Sequence, residues 1–183
     1  MSRKRFTFVA PVLVTESLES FEAFANEMMD YIKPNGIIEE TLVHDVIDTT
    51  WHIMRLQRSR SAMINIAYPE AIKKLLDEEL SVVDEFQADH LAQNWLILPA
   101  VKQEVLKALK RFGLDEIAIE AQAMAILASD LEAHDRTLTS LEARRNKTLR
   151  LLAEIQANVA SRTRKMLDTI DSNADHARSK AAE

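Results

Sequence analysis

From Leu114 to Glu183 the chain contains neither glycine nor proline. Apolar residues within that stretch stand at Ile117, Met124, Leu131, Leu138, Leu152, Val159 and Met166, each seven or twice seven apart. A seven-residue apolar period lays a stripe along one side of a helix, and a stripe of that length needs another helix to cover it. Helix-on-helix packing is therefore imposed before any other residue is considered.

The rest of the composition agrees. Two glycines and four prolines in 183 residues leave few of the breakers that sheets and long loops need at their turns. The absence of cysteine removes disulfides, thiolate metal ligands and cysteine nucleophiles. The net charge of −6 is unevenly placed: residues 1–98 carry nine basic against sixteen acidic side chains, and residues 99–183 carry fourteen against thirteen. Between Arg136 and Leu167 eight basic residues face only Glu142 and Glu154. A chain that is acidic in bulk is no general polyanion binder, but a local cationic face remains available. No apolar run approaches the roughly 18 residues of a membrane span. Arg3-Lys4-Arg5 before an apolar run has the outline of a secretion signal. Acidic Glu16 and Glu19 nevertheless follow Val14 where a small-residue cleavage site would stand. The expectation is a cytoplasmic protein with no membrane partner.

Along the chain, residues 1–15 read as an extended arm around Pro11. Thr15 and Ser17 are suitable caps for a first helix carrying Leu18, Phe21, Phe24, Met28 and Ile32, which ends at Pro34-Asn35-Gly36. A second helix follows from Ile37 to about Ala67, with Glu39 and Glu40 at its positive end. Pro69 suits the first turn of a third helix, which breaks near Ser81 and ends before Pro99. A fourth runs from Val101 to Phe112 and stops at Gly113; Asp115 caps a long final helix that frays after Ile170. The fold class expected is all-α: an elongated antiparallel helical bundle with a long, coiled-coil-like C-terminal helix. Its parts are the arm (1–15), a bundle (16–113), the long amphipathic helix (114–172) and a frayed tail (173–183). Trp51 and Trp95, at helical spacing among aliphatic residues, are expected core anchors.

Two stretches resemble a family of uncharacterised helical bacterial proteins. The first is Pro11-Val12-Leu13, Ser17 to Phe24, Glu39-Glu40, Leu42-Val43 and the motif Trp51-x3-Arg55-Leu56-x-Arg58. The second is Leu131-Glu132, Asp135-Arg136, Glu142-Ala143-Arg144-Arg145-Asn146 and Leu149-Arg150. The resemblance implies a helical layout over about two thirds of the chain. The family has no established activity, so it implies no site.

Three groups of residues could carry chemistry. Glu40, His44, Asp48 and His52 recur every four residues on the second helix, beside Asp45, and imidazole with carboxylate at that spacing can share a divalent metal. One helix supplies few ligands, however, and neither the paired Glu-x-x-His of di-iron bundles nor a His-Glu-x-x-His motif occurs. The stripe therefore reads first as a solvated face, with His44 and His52 mostly exposed and no metal or cofactor expected. Asp130/His134, Asp89/His90 and Asp175/His176 are further neighbours, but Gly36 and Gly113 cannot supply a nucleophile elbow or a phosphate loop, and no enzyme is expected. Arg136, Arg144, Lys147, Arg150, Arg162 and Lys165 form a cationic arc on the last helix opposite its leucines. Such an arc suits ion pairing with the acidic half or contacts to nucleic-acid phosphates. The helix lacks aromatic residues for base stacking. Finally, Leu152, Ile155, Val159 and Met166 form an apolar stripe with no equally long internal partner. The expected function is thus a non-catalytic interaction or scaffolding protein, a homodimer or the partner of another helical protein. A nucleic-acid accessory role is the alternative, and a metal-dependent enzyme comes third.

Overall fold

In the computed structural model the backbone is described over residues 9–79 and 83–180, and the side chains over residues 9–77 and 83–169. Among the described residues six α-helices follow in order: α1 (Leu18–Ile32), α2 (Ile37–Lys74), α3 (Glu85–Asn94), α4 (Pro99–Lys110), α5 (Glu116–Ile126) and α6 (Ala128–Lys180). A π-helical turn, Leu75–Glu79, extends α2. No strand occurs among the described residues, and the all-α expectation holds. Residues 9–13 of the arm have no regular secondary structure; the expected break at Ser81 lies outside the described residues.

Helix ends follow side-chain chemistry. Ser17 caps α1 by accepting from the Ser20 amide at 3.1 Å, Asp84 caps α3 from Gln87 at 2.9 Å, and Asp115 caps α5 from Ile117 at 2.9 Å. Pro99 opens α4, where its missing N–H is harmless. Past the end of α4 the Leu114 amide donates back to the Leu109 carbonyl, with Gly113 at φ 72 supplying the left-handed turn. At the end of α1 the left-handed residue is Lys33 (φ 50). Gly36 (φ 102) then releases the chain into α2.

Three boundaries differ from the sequence reading. Pro69 does not start a helix; α2 runs through it to Lys74. Proline there removes the amide that the Asn65 carbonyl would accept. The apolar side formed by Ala67, Ala71, Ile72, Leu75 and Leu76 is buried across the gap, which holds the helix together. The long final helix is two helices, divided at Leu127 (φ −91, ψ 10). Ile126 and Leu127 pack against a core cluster there, so burial turns the chain where no breaker residue stands. The division shifts the helical phase: Ile119 and Ala123 are buried, whereas the heptad residue Ile117 is 69% exposed. The backbone of α6 also stays helical to Lys180, beyond the loss of the apolar period at Ile170.

The chain forms two compact units: Met1–His52 with Ser140–Glu183, and Ile53–Thr139. The unit spanning Ile53–Thr139 has an aliphatic core. Ile72 and Leu76 meet Ala88, Leu91 and Trp95 of the α3 segment, Val105 and Leu109 of α4, and Ile119 and Ala123 of α5. Alanines at 67, 71, 88, 92, 108 and 123 let these helices approach closely. The other unit gathers Phe21 of α1, Val43, Ile47 and Trp51 of α2, and Leu152 of α6, with Phe24, Met28 and Ile32 around them. Trp51 is buried as expected. Its ring meets Phe21 edge-on at 5.2 Å and Phe24 at 6.1 Å, and its Nε1 donates to Glu16 Oε2 at 3.1 Å.

Candidate functional site

The α1–α2 turn is held by hydrogen bonds on both flanks. The Lys33 amide donates to the Met29 carbonyl at 2.9 Å, and the Asn35 amide donates to Glu39 Oε2 at 3.0 Å. Glu39 is only 4% exposed, unusual for a carboxylate, and its same oxygen accepts from Gln156 Nε2 at 3.1 Å. Gln156 also donates to the Ile32 carbonyl at 3.4 Å. One side chain of α6 thus clasps the end of α1 and the first turn of α2. A second rung lies farther along α2: Thr148 Oγ1 donates to Asp45 Oδ2 at 3.0 Å, and the Arg144 guanidinium pairs with the other oxygen of Asp45. Asp45, with a smaller contribution from Asp48, holds Arg144 further into its charged form.

This scaffold splits the histidine stripe. Glu40 and His44 open into a cavity of about 340 Å³ with Ala25, Asn26, Met29 and Asp30 of α1 and Pro34 of the turn. Asp48 and His52 do not line it. Both histidines are half-buried rather than mostly exposed, a correction to the sequence reading. Burial lowers the His44 pKa and outweighs the opposing pull of Glu40, so the ring is neutral near pH 7. Among the described residues no three histidine or carboxylate side chains converge on a point where a metal could sit.

The apolar stripe of α6 divides as well. Leu152 is 3% exposed and packs in its own chain's core with Phe21, Val43, Ile47 and Trp51. It is therefore not available to a partner, contrary to its place in the expected interaction stripe. Ile155 is half-buried, whereas Val159 is 44% and Met166 67% exposed. Every residue from 157 to 169 is exposed. Of the cationic arc, Arg144 is engaged by Asp45, and Arg136 bridges Glu132 at 3.4 Å one turn away. Lys147, Arg150, Arg162 and Lys165 are exposed.

In the Ile53–Thr139 unit an open groove of about 580 Å³ has Met124, Ala128 and Leu131 as its floor. Arg60 bridges Asp135 at 2.8 Å on its rim, beside the Arg136–Glu132 pair. Each of these lining charges has an opposite partner. Asp89 bonds Lys73 at 3.0 Å instead of His90, raising the lysine pKa together with Glu85. Both ring nitrogens of His134 are buried with no hydrogen-bond partner among the described residues, so Asp130 does not orient it. His176 lies outside the described side chains.

What sequence reasoning missed is the cavity: Asn26, Asp30 and Pro34 become neighbours of Glu40 and His44 only because the turn folds α1 back. No protein-family model, curated protein or solved structure matches this chain.

Proposed function

We propose that the protein is a non-catalytic helical interaction protein that works through the distal part of α6. One observation carries this reading: the stripe that is buried at Leu152 continues in phase to Val159 and Met166, which are exposed. An isolated helical segment of this length is marginal in water, and a packed apolar face is its usual source of stability. A coiled-coil-like pairing with a second copy in antiparallel orientation covers both stripes at once by symmetry, making a homodimer; another helical protein is the alternative partner. No helix among the described residues is long and apolar enough to cross a membrane.

Light scattering at tens of micromolar tests the reading. A dimer that becomes a folded monomer in Val159→Glu/Met166→Glu supports it. A wild-type monomer of 20.8 kDa that also captures no helical partner overturns it.

A second reading is favoured by the exposure of Lys147, Arg150, Arg162 and Lys165. On this reading the basic side of α6 contacts nucleic-acid phosphates. Gel shifts at two salt concentrations test it, because phosphate contacts weaken steeply as salt rises. Binding that ignores salt rejects it.

A further inference from the structure

Helix α6 runs past the turn that holds it. Gln156 is clasped by the Ile32 carbonyl and Glu39 at the α1–α2 turn. Beyond it every described side chain to residue 169 is exposed, and the backbone stays helical to Lys180. At 1.5 Å per residue this overhang is about 36 Å long, against about 22 Å for α1. At the turn itself a second set of large apolar residues is exposed: Tyr31 (88%), Ile37 and Ile38. Tyr31 adjoins Ile32 and Ile38 adjoins Glu39, so this apolar collar sits where α6 leaves the turn. The charges of the two helices are opposite. Between Glu154 and Asp168 the overhang carries Arg162, Arg164 and Lys165 and no acid. Helix α1 carries Glu19, Glu22, Glu27 and Asp30 and no base. All four acids are exposed, and none forms a salt bridge among the described residues.

These observations decide what covers Val159 and Met166. Two overhangs laid on each other around Arg162 would bring the three bases of one against the three of the other, and like charges at short range oppose association. A placement shifted toward the turn removes that conflict. Helices α1 and α6 both run toward the turn: Phe21 meets Trp51 of α2 far from it, Thr148 meets Asp45 nearer, and Gln156 meets Ile32 at it. A second copy in antiparallel orientation, its turn against the first copy's turn, therefore lays each overhang along the other copy's α1. Counted outward from the turn, Arg162 comes level with Glu27, and Lys165 falls within two residues of Glu22. The overhang is longer than α1 and spans it. We propose that the overhang of each copy docks on the acidic exposed face of the other copy's α1, with the two apolar collars meeting at the two-fold axis. This docking rests on the reading that distal α6 joins two copies and names the surface it meets.

Analytical ultracentrifugation of the full chain tests this, first on the wild type. Opposite charges across the contact predict a dimer that weakens from about 50 mM to about 500 mM sodium chloride, whereas overhangs laid on each other would tighten as salt screens their repulsion. Glu22→Lys/Glu27→Lys should weaken the dimer by about tenfold or more, with circular dichroism confirming the fold. Mixing that protein with Arg162→Glu/Lys165→Glu should restore a dimer, because both contacts of the mixed pair then join opposite charges. The chain has no cysteine, so introduced ones report placement directly. A short bismaleimide should link Glu27→Cys to Arg162→Cys when the two proteins are mixed. It should not link Arg162→Cys to itself, since the two copies of that residue would lie about 17 Å apart along the helices. Docking on α1 is overturned by a dimer that tightens with salt, by Glu22→Lys/Glu27→Lys dimerising as well as the wild type, or by Arg162→Cys linking to itself in place of the mixed product. In each case a dimer lost in Val159→Glu/Met166→Glu keeps distal α6 as the contact and rejects only its placement. A wild-type protein that remains monomeric at tens of micromolar overturns the docking and the homodimer together.

Discussion

The two units reach stability by different routes. The Ile53–Thr139 unit buries aliphatic residues and alanines and leaves its charges outside: Lys73 with Glu85 and Asp89, Lys102 with Glu116, Arg60 with Asp135. Exposed pairs of this kind are screened by water and add little to stability. Lys102 also sits over the Trp95 ring at 5.1 Å, so its contribution includes packing as well as charge. In the unit that joins Met1–His52 to Ser140–Glu183 the core gathers around Trp51. It is stitched by polar groups that are themselves buried or nearly so: Glu39, Thr148, and the Gln156 and Asp45 contacts. Aliphatic burial is tolerant of small shifts along a helix. A hydrogen bond to a buried carboxylate is not, since a slip leaves the carboxylate desolvated and alone. The polar rungs therefore fix the register of α6 against α1 and α2, and with it the walls of the cavity.

Trp51→Ala tests this contrast most severely. It removes the ring that joins Phe21, Phe24 and Leu152 and leaves the Glu16 carboxylate without its indole donor. A loss of about 3–5 kcal/mol is expected by chemical denaturation, as for other large-to-small core changes. If the variant melts like the wild type, Trp51 is not the centre of that core.

Glu39→Ala comes next. It removes a buried carboxylate, takes the acceptor from the Asn35 amide and leaves Gln156 with the longer bond to the Ile32 carbonyl. A loss of about 2 kcal/mol is expected, with Glu39→Gln recovering part of it. Substituting both Glu39 and Gln156 should cost less than the sum of the single losses, since the two share one contact. Strict additivity would show that Glu39 does not set the register.

Arg144→Ala should cost no more than about 1 kcal/mol, because the guanidinium is mostly exposed and screened by solvent. Thr148→Val, which leaves Asp45 with one buried donor fewer, should cost about the same despite removing no charge. A much larger loss for Arg144 would move the weight of this rung from hydrogen bonding to charge.

What the sequence disclosed follows from where the information lies. Helix type, the capping of α1 and α5, the stop at Gly113 and the burial of both tryptophans depend on spacing and local chemistry, and the residues at those positions carry them. The break at Leu127 and the continuation through Pro69 depend on burial against distant segments, and no local residue marks either. The same limit governed the sites. A stripe drawn along a single continuous helix kept Leu152 and Met166 together, although α1 and α2 cover only the first. The stripe Glu40-His44-Asp48-His52 was visible as a helix face, but its division into a cavity pair and a remainder required knowing where α1 returns.

The smallest expected effect is a pH dependence. The His44 pKa is lowered from its ordinary 6.5, chiefly because the ring is desolvated. In the unfolded chain the same ring takes up a proton at the ordinary value. Above pH 6.5 both states are neutral, and the ring makes no difference to the folding equilibrium. As pH falls through 6.5 the unfolded state binds the proton first, and stability declines until the folded state's own, lower pKa is passed. Glu40 favours the charged ring and so limits the decline. Thermal melts of the wild type should fall on acidification below pH 6.5, and the fall should be shallower in His44→Gln, which keeps a polar side chain and cannot titrate. Comparing the two proteins across the same buffers removes the contribution of the carboxylates, which titrate in both. A wild-type and a variant curve of equal slope in that window would place His44 in water rather than against the cavity wall.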